Sequence, residues 1–95
     1  MSNDRTAAVI VVLPPALLSL FPGSQSPLEI TASDVSGILD ALDQRWPGMR
    51  DRIRDSRPAI RRHMKVFVDG APARLETPVT PGAEVYILTA ISGGA

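Results

Sequence analysis

The sequence lacks the side chains on which much protein chemistry depends. Its 95 residues include no cysteine, one histidine and one lysine. Without cysteine the chain has no disulfide, no thiol nucleophile and no cysteine-ligated metal. His63 alone cannot supply a set of zinc ligands, and we interpret it as a partly exposed structural residue rather than part of a metal site or a catalytic triad. We therefore expect no bound metal.

An excess of either charge is also missing. Ten basic and ten acidic residues give a formal net charge of zero. General binding to nucleic acid or to an anionic membrane requires a net basic surface, so neither partner is expected. The apolar run near the N-terminus is interrupted by Pro14-Pro15 and is too short to span a bilayer. No small-residue cleavage site follows it, and we predict a cytoplasmic protein.

The length and composition predict a single small domain that begins with a β-hairpin. Residues 7–13 are apolar on both faces of the predicted strand, which indicates a central strand. The stretch "PPALLSLFPGSQSP" is interpreted as a loop whose leucines pack onto the core. "LEIT" follows as a short strand with Leu28 and Ile30 facing inward.

One helix is clearly indicated by its apolar stripe. Its cap is predicted to be Thr31 or Ser33, with a capping box from Thr31 to Asp34. Pro47-Gly48 ends the helix, and the charged segment that follows is predicted to form one or two helical turns, ending near Pro58, in a solvated connection. The stripe has the spacing of one helix face and consists of Val35, Ile38, Leu39, Leu42 and Trp46.

The C-terminal half predicts the remaining strands. "MKVFVDG" reads as a strand that ends in an Asp69-Gly70 turn, "ARL" resumes the pairing, and "ETPVTPG" forms a loop. "EVYILTAI" is the last strand. The element order predicts an α+β fold of the β-grasp (ubiquitin-like) type, with a mixed sheet of four to five strands and one main helix. In that topology the first and last strands are parallel neighbours; residues 1–91 form the domain and 92–95 a flexible tail.

No residue pattern for catalysis is present. Asp40 and Asp43 fall on the predicted solvated face of the helix, and no phosphate-binding glycine loop occurs. The remaining candidate is Ser92-Gly93-Gly94, because glycines at the end of a rigid strand give a thin thread that a narrow active site can hold by its backbone.

These segments resemble the MoaD/ThiS family of ubiquitin-like sulfur carriers over most of the chain. "RRHMKVFVDGAPARL" is similar to the family's third-strand segment, and "PVTPGAEVYILTAISGG" to its closing strand, linker and Gly-Gly. The segment "WPGMRDRIRD" after the helix favours the MoaD-like and cysteine-biosynthesis carriers over the shorter ThiS type.

The resemblance implies a carrier that is not itself an enzyme and binds no cofactor. An E1-like adenylyltransferase and sulfurtransferase would use ATP and Mg²⁺ to adenylate the carboxylate of Gly94. A sulfur donor would then displace AMP and leave a thiocarboxylate, and a sulfur-accepting biosynthetic enzyme would consume it. The product that receives the sulfur stays open among molybdopterin, cysteine, thiamin and a specialised metabolite.

Ala95 departs from this pattern because it places the carboxyl group of Gly94 in a peptide bond. Some relatives are trimmed by a JAMM-type metallopeptidase, and we expect removal of Ala95 before activation. Two alternatives are that Ala95 itself is activated, or that this copy has lost carrier function.

Strand alternation predicts where partners dock. If Val66, Val68, Val85 and Ile87 face the helix, the opposite face carries three large side chains beside the tail, and the family docks its enzymes through this face. The alternative is a reversed alternation that makes Phe67 a core residue. Two other functions stay open, a ubiquitin-like protein modifier and a non-covalent interaction module. The predicted docking residues are Phe67, Tyr86 and Leu88.

Overall fold

A five-stranded mixed sheet with helices on one face organises the chain. The structure, a computed structural model, describes residues 6–90. The strands lie in the order β2-β1-β5-β3-β4. They are β1 (Ala7–Val12), β2 (Leu28–Ala32), β3 (Met64–Val68), β4 (Ala71–Pro72) and β5 (Glu84–Thr89), and the helices are α1 (Pro15–Leu20), α2 (Val35–Arg45) and α3 (Met49–Ile53).

The centre of the sheet is the parallel pair of β1 and β5. Val11 lies opposite Val85, and Val12 lies opposite Tyr86. β2 pairs antiparallel with β1, and β3 pairs antiparallel with β5. The β-grasp fold and its parallel central strands are therefore confirmed. The turn between β3 and β4 is also as predicted, since Asp69 and Gly70 both have the positive φ that a tight two-residue hairpin requires.

The core lies between the helix-bearing face of the sheet and α2. Leu28 and Ile30 of β2 face inward as predicted, at 6% and 1% exposure. The predicted stripe of α2 is buried except for its last member, Trp46, which is half-buried at the helix end and packs against the core. Burying such apolar area stabilises the fold by about 25 cal/mol per Å². In residues 6–90 no helix has both the length and the apolar character needed to cross a membrane.

The prediction of a loop over "PPALLSLFPGSQSP" is wrong in its first half, where α1 forms. Pro14 is the N-cap and Pro15 is the first helical residue. Proline suits this position because its fixed φ is helical and its missing N–H would have no partner there. Leu17 is buried, whereas Leu20 is 51% exposed, so one side of this short helix packs on the core.

The predicted caps of α2 are also wrong. The N-cap is Asp34, whose Oδ1 accepts a hydrogen bond from the N–H of Gly37 at 2.8 Å. Thr31 lies inside β2, so its backbone belongs to the strand ladder. A side chain at position 37 would also crowd this cap, since a Cβ there would approach the Cβ of Ala32 to 3.2 Å.

Asp43 is not simply a solvated residue, because it joins α2 to α3. Its Oδ1 accepts hydrogen bonds from the N–H groups of Gly48 and Arg50, at 3.0 and 3.1 Å. The guanidinium of Arg50 reaches back to Asp40 at 2.8 Å and to Asp43 at 3.5 Å. Met49 and Ile53 of α3 are fully buried, so this helix is fixed both by its core contacts and by its charges.

The connection from α3 to β3 is ordered around Asp55. Its carboxylate accepts hydrogen bonds from the side chain and the N–H of Arg57 and from the N–H of Ala59. The hydrogen bond from the Arg57 side chain is the main cause that lowers the pKa of Asp55 to about 2.

The Asp34 cap predicts a specific loss of stability. We expect Asp34→Ala to lower the free energy of unfolding by about 1 kcal/mol, because the N–H of Gly37 loses its acceptor. Ser33→Ala is the matched control, and it should change stability by less than about 0.5 kcal/mol. Urea unfolding followed by circular dichroism measures both, and equal losses in the two variants would contradict the assignment of the cap.

The Asp55 carboxylate predicts a local dependence on pH. Its folded pKa lies below its unfolded value, so the ionised group stabilises the connection above about pH 4, and this contribution is lost as the pH falls towards 2. NMR titration of the Asp55 side-chain carbon should give a pKa of about 2. Arg57→Ala should raise that pKa, whereas Arg52→Ala should leave it unchanged. An unchanged pKa in Arg57→Ala would show that the ion pair is not its cause.

Candidate functional site

The described chain ends where β5 approaches the segment before β3. The N–H of Ala90 donates to the backbone carbonyl of His63 at 2.7 Å, one residue beyond the end of β5. This bond holds the point from which residues 91–95 continue. The predicted tail residues Ser92, Gly93 and Gly94, and the predicted processing position Ala95, lie outside the described residues, as does the boundary proposed after residue 91.

The three predicted docking residues share the face of the sheet opposite the helices. Phe67 of β3 lies directly opposite Tyr86 of β5, and directly opposed residues of an antiparallel pair project to one face. Leu88 lies two residues further along β5, on the same face. Val66, Val85 and Ile87 project to the helix side and are buried, so the predicted alternation is correct and the reversed one is wrong.

This face exposes large apolar side chains. Tyr86 is 41% exposed and Leu88 is 40% exposed, whereas Phe67 is half-buried. Water therefore contacts a connected apolar surface that begins two residues before Ala90. An exposed apolar cluster of this kind is typical of a site for protein contact.

Sequence reasoning missed the contribution of β1 to this face. Ile10 is 39% exposed, and Val12 lies opposite Tyr86 in the parallel pair. The alternation of β1 contained part of the signal, since residues 8, 10 and 12 must face away from the buried Val9 and Val11. We define the outer patch as Ile10, Val12, Phe67, Tyr86 and Leu88.

Charged residues border the outer patch on two sides. Glu84 lies opposite Ile10, and Lys65 lies opposite Leu88. The only histidine, His63, has an exposed side chain, and it enters the site through its backbone carbonyl. A partner that covers the apolar centre would thus meet charges of both signs at the border.

The described residues contain no group of three or more His, Asp or Glu side chains arranged to hold a metal ion. Asp40 and Asp43, the two carboxylates predicted to lie on the solvated face of the helix, both form ion pairs with Arg50. What the arrangement provides is an exposed apolar surface on the strand that leads to Ala90, the last described residue.

Comparison with known proteins agrees with this geometry. The model of the ThiS family matches residues 12–94. The matched region begins in β1 and extends through the Gly93-Gly94 pair. No curated protein matches the chain.

Several solved structures share the fold. A chain in the crystal structure of the Amycolatopsis orientalis BexX/CysO complex aligns with a TM-score of 0.81 and 27% identity, over 92% of this chain and 100% of that one. SAMP1 from Haloferax volcanii aligns at 0.75 with 23% identity, over 93% and 100% of the two chains. Mycobacterium tuberculosis CysO, described as an antigen, aligns at 0.77 with 21% identity, over 87% and 99%.

Proposed function

The chain belongs to the ThiS family and is a ubiquitin-like sulfur carrier or modifier, and from this premise we propose that it carries sulfur as a thiocarboxylate on Gly94. The observation that carries the proposal is the family match itself, which extends to Gly94 and stops before Ala95. The members of this family are small carriers rather than catalysts, so the chemistry is performed by partner enzymes.

The position of the outer patch supports this function. A partner that binds Tyr86 and Leu88 grips β5 itself, and β5 leads into the chain end through Ala90. Because the strand is fixed in the sheet by β1 on one side and β3 on the other, docking on the patch would fix the direction in which residues 91–94 leave the domain. Glycine at positions 93 and 94 leaves that segment narrow enough for a confined active site.

The chemical steps follow from the poor reactivity of a carboxylate. Removal of Ala95 by a peptidase, of the metal-dependent JAMM type in our proposal, frees the carboxylate of Gly94. An E1-like partner then joins this carboxylate to AMP with release of pyrophosphate from Mg-ATP. Hydrosulfide, or an equivalent sulfur donor, attacks the carbonyl carbon and expels AMP. The resulting thiocarboxylate is the form that a sulfur-accepting enzyme would consume, and ATP and Mg²⁺ act as substrates of the partner.

The second candidate is a protein modifier, in which a lysine amine of another protein attacks the same adenylate or a thioester derived from it. The fold it shares with SAMP1, a small archaeal modifier protein, makes this candidate specific enough to test. Both functions use the same chain end and differ in the nucleophile that attacks it.

The tail predicts a defined product. A chain ending at Gly94, incubated with its E1-like enzyme, Mg-ATP and sulfide, should show an acyl-adenylate and then a mass gain equal to exchange of one oxygen for sulfur. The full chain with Ala95 should stay unmodified, and a chain ending at Gly93 serves as the truncation control. Intact-mass spectrometry measures all three.

Other products would change the assignment. Equal reaction of the full chain would show that Ala95 itself is activated. Copies attached to lysines of other proteins would support the modifier function, and an unreacted chain ending at Gly94 would exclude both.

The outer patch predicts a separate effect on activation. Leu88→Asp should lower kcat/KM for adenylation of the trimmed chain by about tenfold or more, because a charge in the apolar interface must be desolvated. Leu20→Asp is the matched control, since Leu20 is an exposed leucine, at 51% against 40% for Leu88, and it lies on α1 rather than in the patch. Pyrophosphate release measures the rate. Equal rates for the two variants would place docking elsewhere.

A further inference from the structure

A groove follows the edge of β3, beside the outer patch. Its volume is about 590 Å³, within the range of roughly 300–1,000 Å³ that is usual for binding sites. One wall is the segment 58–62 and the other is the segment 72–76, with Met64, Val66 and Phe67 of β3 between them.

Each wall touches β3 at one end and is fixed by a further bond to another part of the fold. On one side, the N–H of Arg61 donates to the carbonyl of Ile53 at 2.8 Å, which fixes this wall to α3. On the other side, the N–H of Ser36 donates to the carbonyl of Leu75 at 2.8 Å, which fixes the second wall to the start of α2. The gap between the walls is therefore built into the fold.

The edge of β3 inside the groove offers backbone groups to a further strand. β4 pairs only with Phe67 and Val68, and the last bond of this hairpin runs from the N–H of Ala73 to the carbonyl of Val66 at 2.8 Å. Lys65 and Phe67 direct their backbone groups to β5, so Met64 and Val66 direct theirs into the groove. The N–H of Met64 is already bonded to the carbonyl of Arg61 at 2.9 Å, whereas within residues 6–90 the carbonyl of Met64 and the N–H of Val66 have no hydrogen-bond partner. Such an edge is a template for strand addition.

The groove is strongly basic in a chain whose net charge is zero. Four cationic residues line it against a single acid, Glu76. Glu76 lies 3.6 Å from Arg74 with both side chains more than 70% exposed, so this pair neutralises little. The lining also includes apolar side chains, with Ile60 and Leu75 half-buried. The four cations are Arg61, Arg62, Lys65 and Arg74.

We propose that this groove, here called the β3-edge groove, binds a short extended peptide with acidic side chains by adding it as a strand to β3. The backbone of the peptide would bond to the carbonyl of Met64 and the N–H of Val66. Its alternate side chains would divide between the apolar lining and the four cations. A peptide is favoured over RNA because the unpaired backbone groups have strand geometry and part of the lining is apolar. The proposal does not depend on the C-terminal tail or on sulfur transfer.

The test uses the full-length ¹⁵N-labelled chain and an acetylated, amidated octapeptide of alternating Glu and Val. Titration should shift the amide signals of Val66 and Ala73 and slow hydrogen exchange at Val66, which gains an acceptor. A matched octapeptide of alternating Lys and Val should bind at least about tenfold more weakly, because the cations repel it. Binding of the two peptides with equal affinity would overturn the proposal.

Two further experiments distinguish the contribution of charge to binding from the contribution of backbone pairing. The double variant Arg62→Glu, Arg74→Glu should weaken binding by about tenfold, since two attractions become repulsions. The double variant Arg45→Glu, Arg52→Glu changes two exposed arginines outside the groove and should bind as the original chain does. The Glu-Val peptide N-methylated at every amide has no N–H on either edge to donate to the carbonyl of Met64, so it cannot add as a strand and should not bind.

If the methylated peptide still binds, strand addition is excluded. This test leaves the protein itself unchanged. If oligouridylate shifts the same amide signals and binds with higher affinity than the Glu-Val peptide, the proposal is overturned in favour of an RNA site.

Discussion

β1 and β5 form a parallel pair at the centre of the sheet, so neither strand lies at an edge. One face of each strand packs under α2, and the other face contacts water. That pairing joins sequence segments more than seventy residues apart, and the rest of the structure depends on it. It buries Val9, Val11, Val85 and Ile87 against the helix. It also places Ile10 and Tyr86 on one exposed surface and fixes β5 between two neighbours. The core, the outer patch and the fixed position of β5 are consequences of the same strand pair.

Much of this fold could be predicted from local pattern. Alternation gave the faces of β2 and β5, helical spacing gave α2, and Asp69-Gly70 gave the turn between β3 and β4. The errors have identifiable physical causes. Pro14-Pro15 was interpreted as breaking structure, although proline at the first helical position favours a helix. Thr31 was assigned as a cap, although β2 continues through Ala32 and leaves Asp34 at the helix start. In both cases the residue type suits two local structures, and the prediction chose the wrong structure.

The outer patch and the β3-edge groove were less predictable from the sequence than the fold. The shared face of Phe67, Tyr86 and Leu88 was predictable because alternation within each strand needs no knowledge of its neighbours. The addition of Val12 to the same surface depends on the register of β1 against β5, and no local pattern encodes that register. The β3-edge groove is even less predictable from the sequence. It is a gap between two segments, one fixed by the bond from the N–H of Arg61 to the carbonyl of Ile53 and the other by the bond from the N–H of Ser36 to the carbonyl of Leu75. Spaces between segments depend on contacts that only the folded chain reveals.

The single lysine has a consequence for how copies of the protein can be joined. Lys65 lies opposite Leu88, so the only side-chain amine of the sequence stands at the border of the outer patch. If the chain served as a modifier, polymers built through side-chain amines would have one linkage type, and each link would cover the patch of the copy that accepts it. Extension would then shield every internal copy from activating enzymes and leave the patch open only on the outermost one.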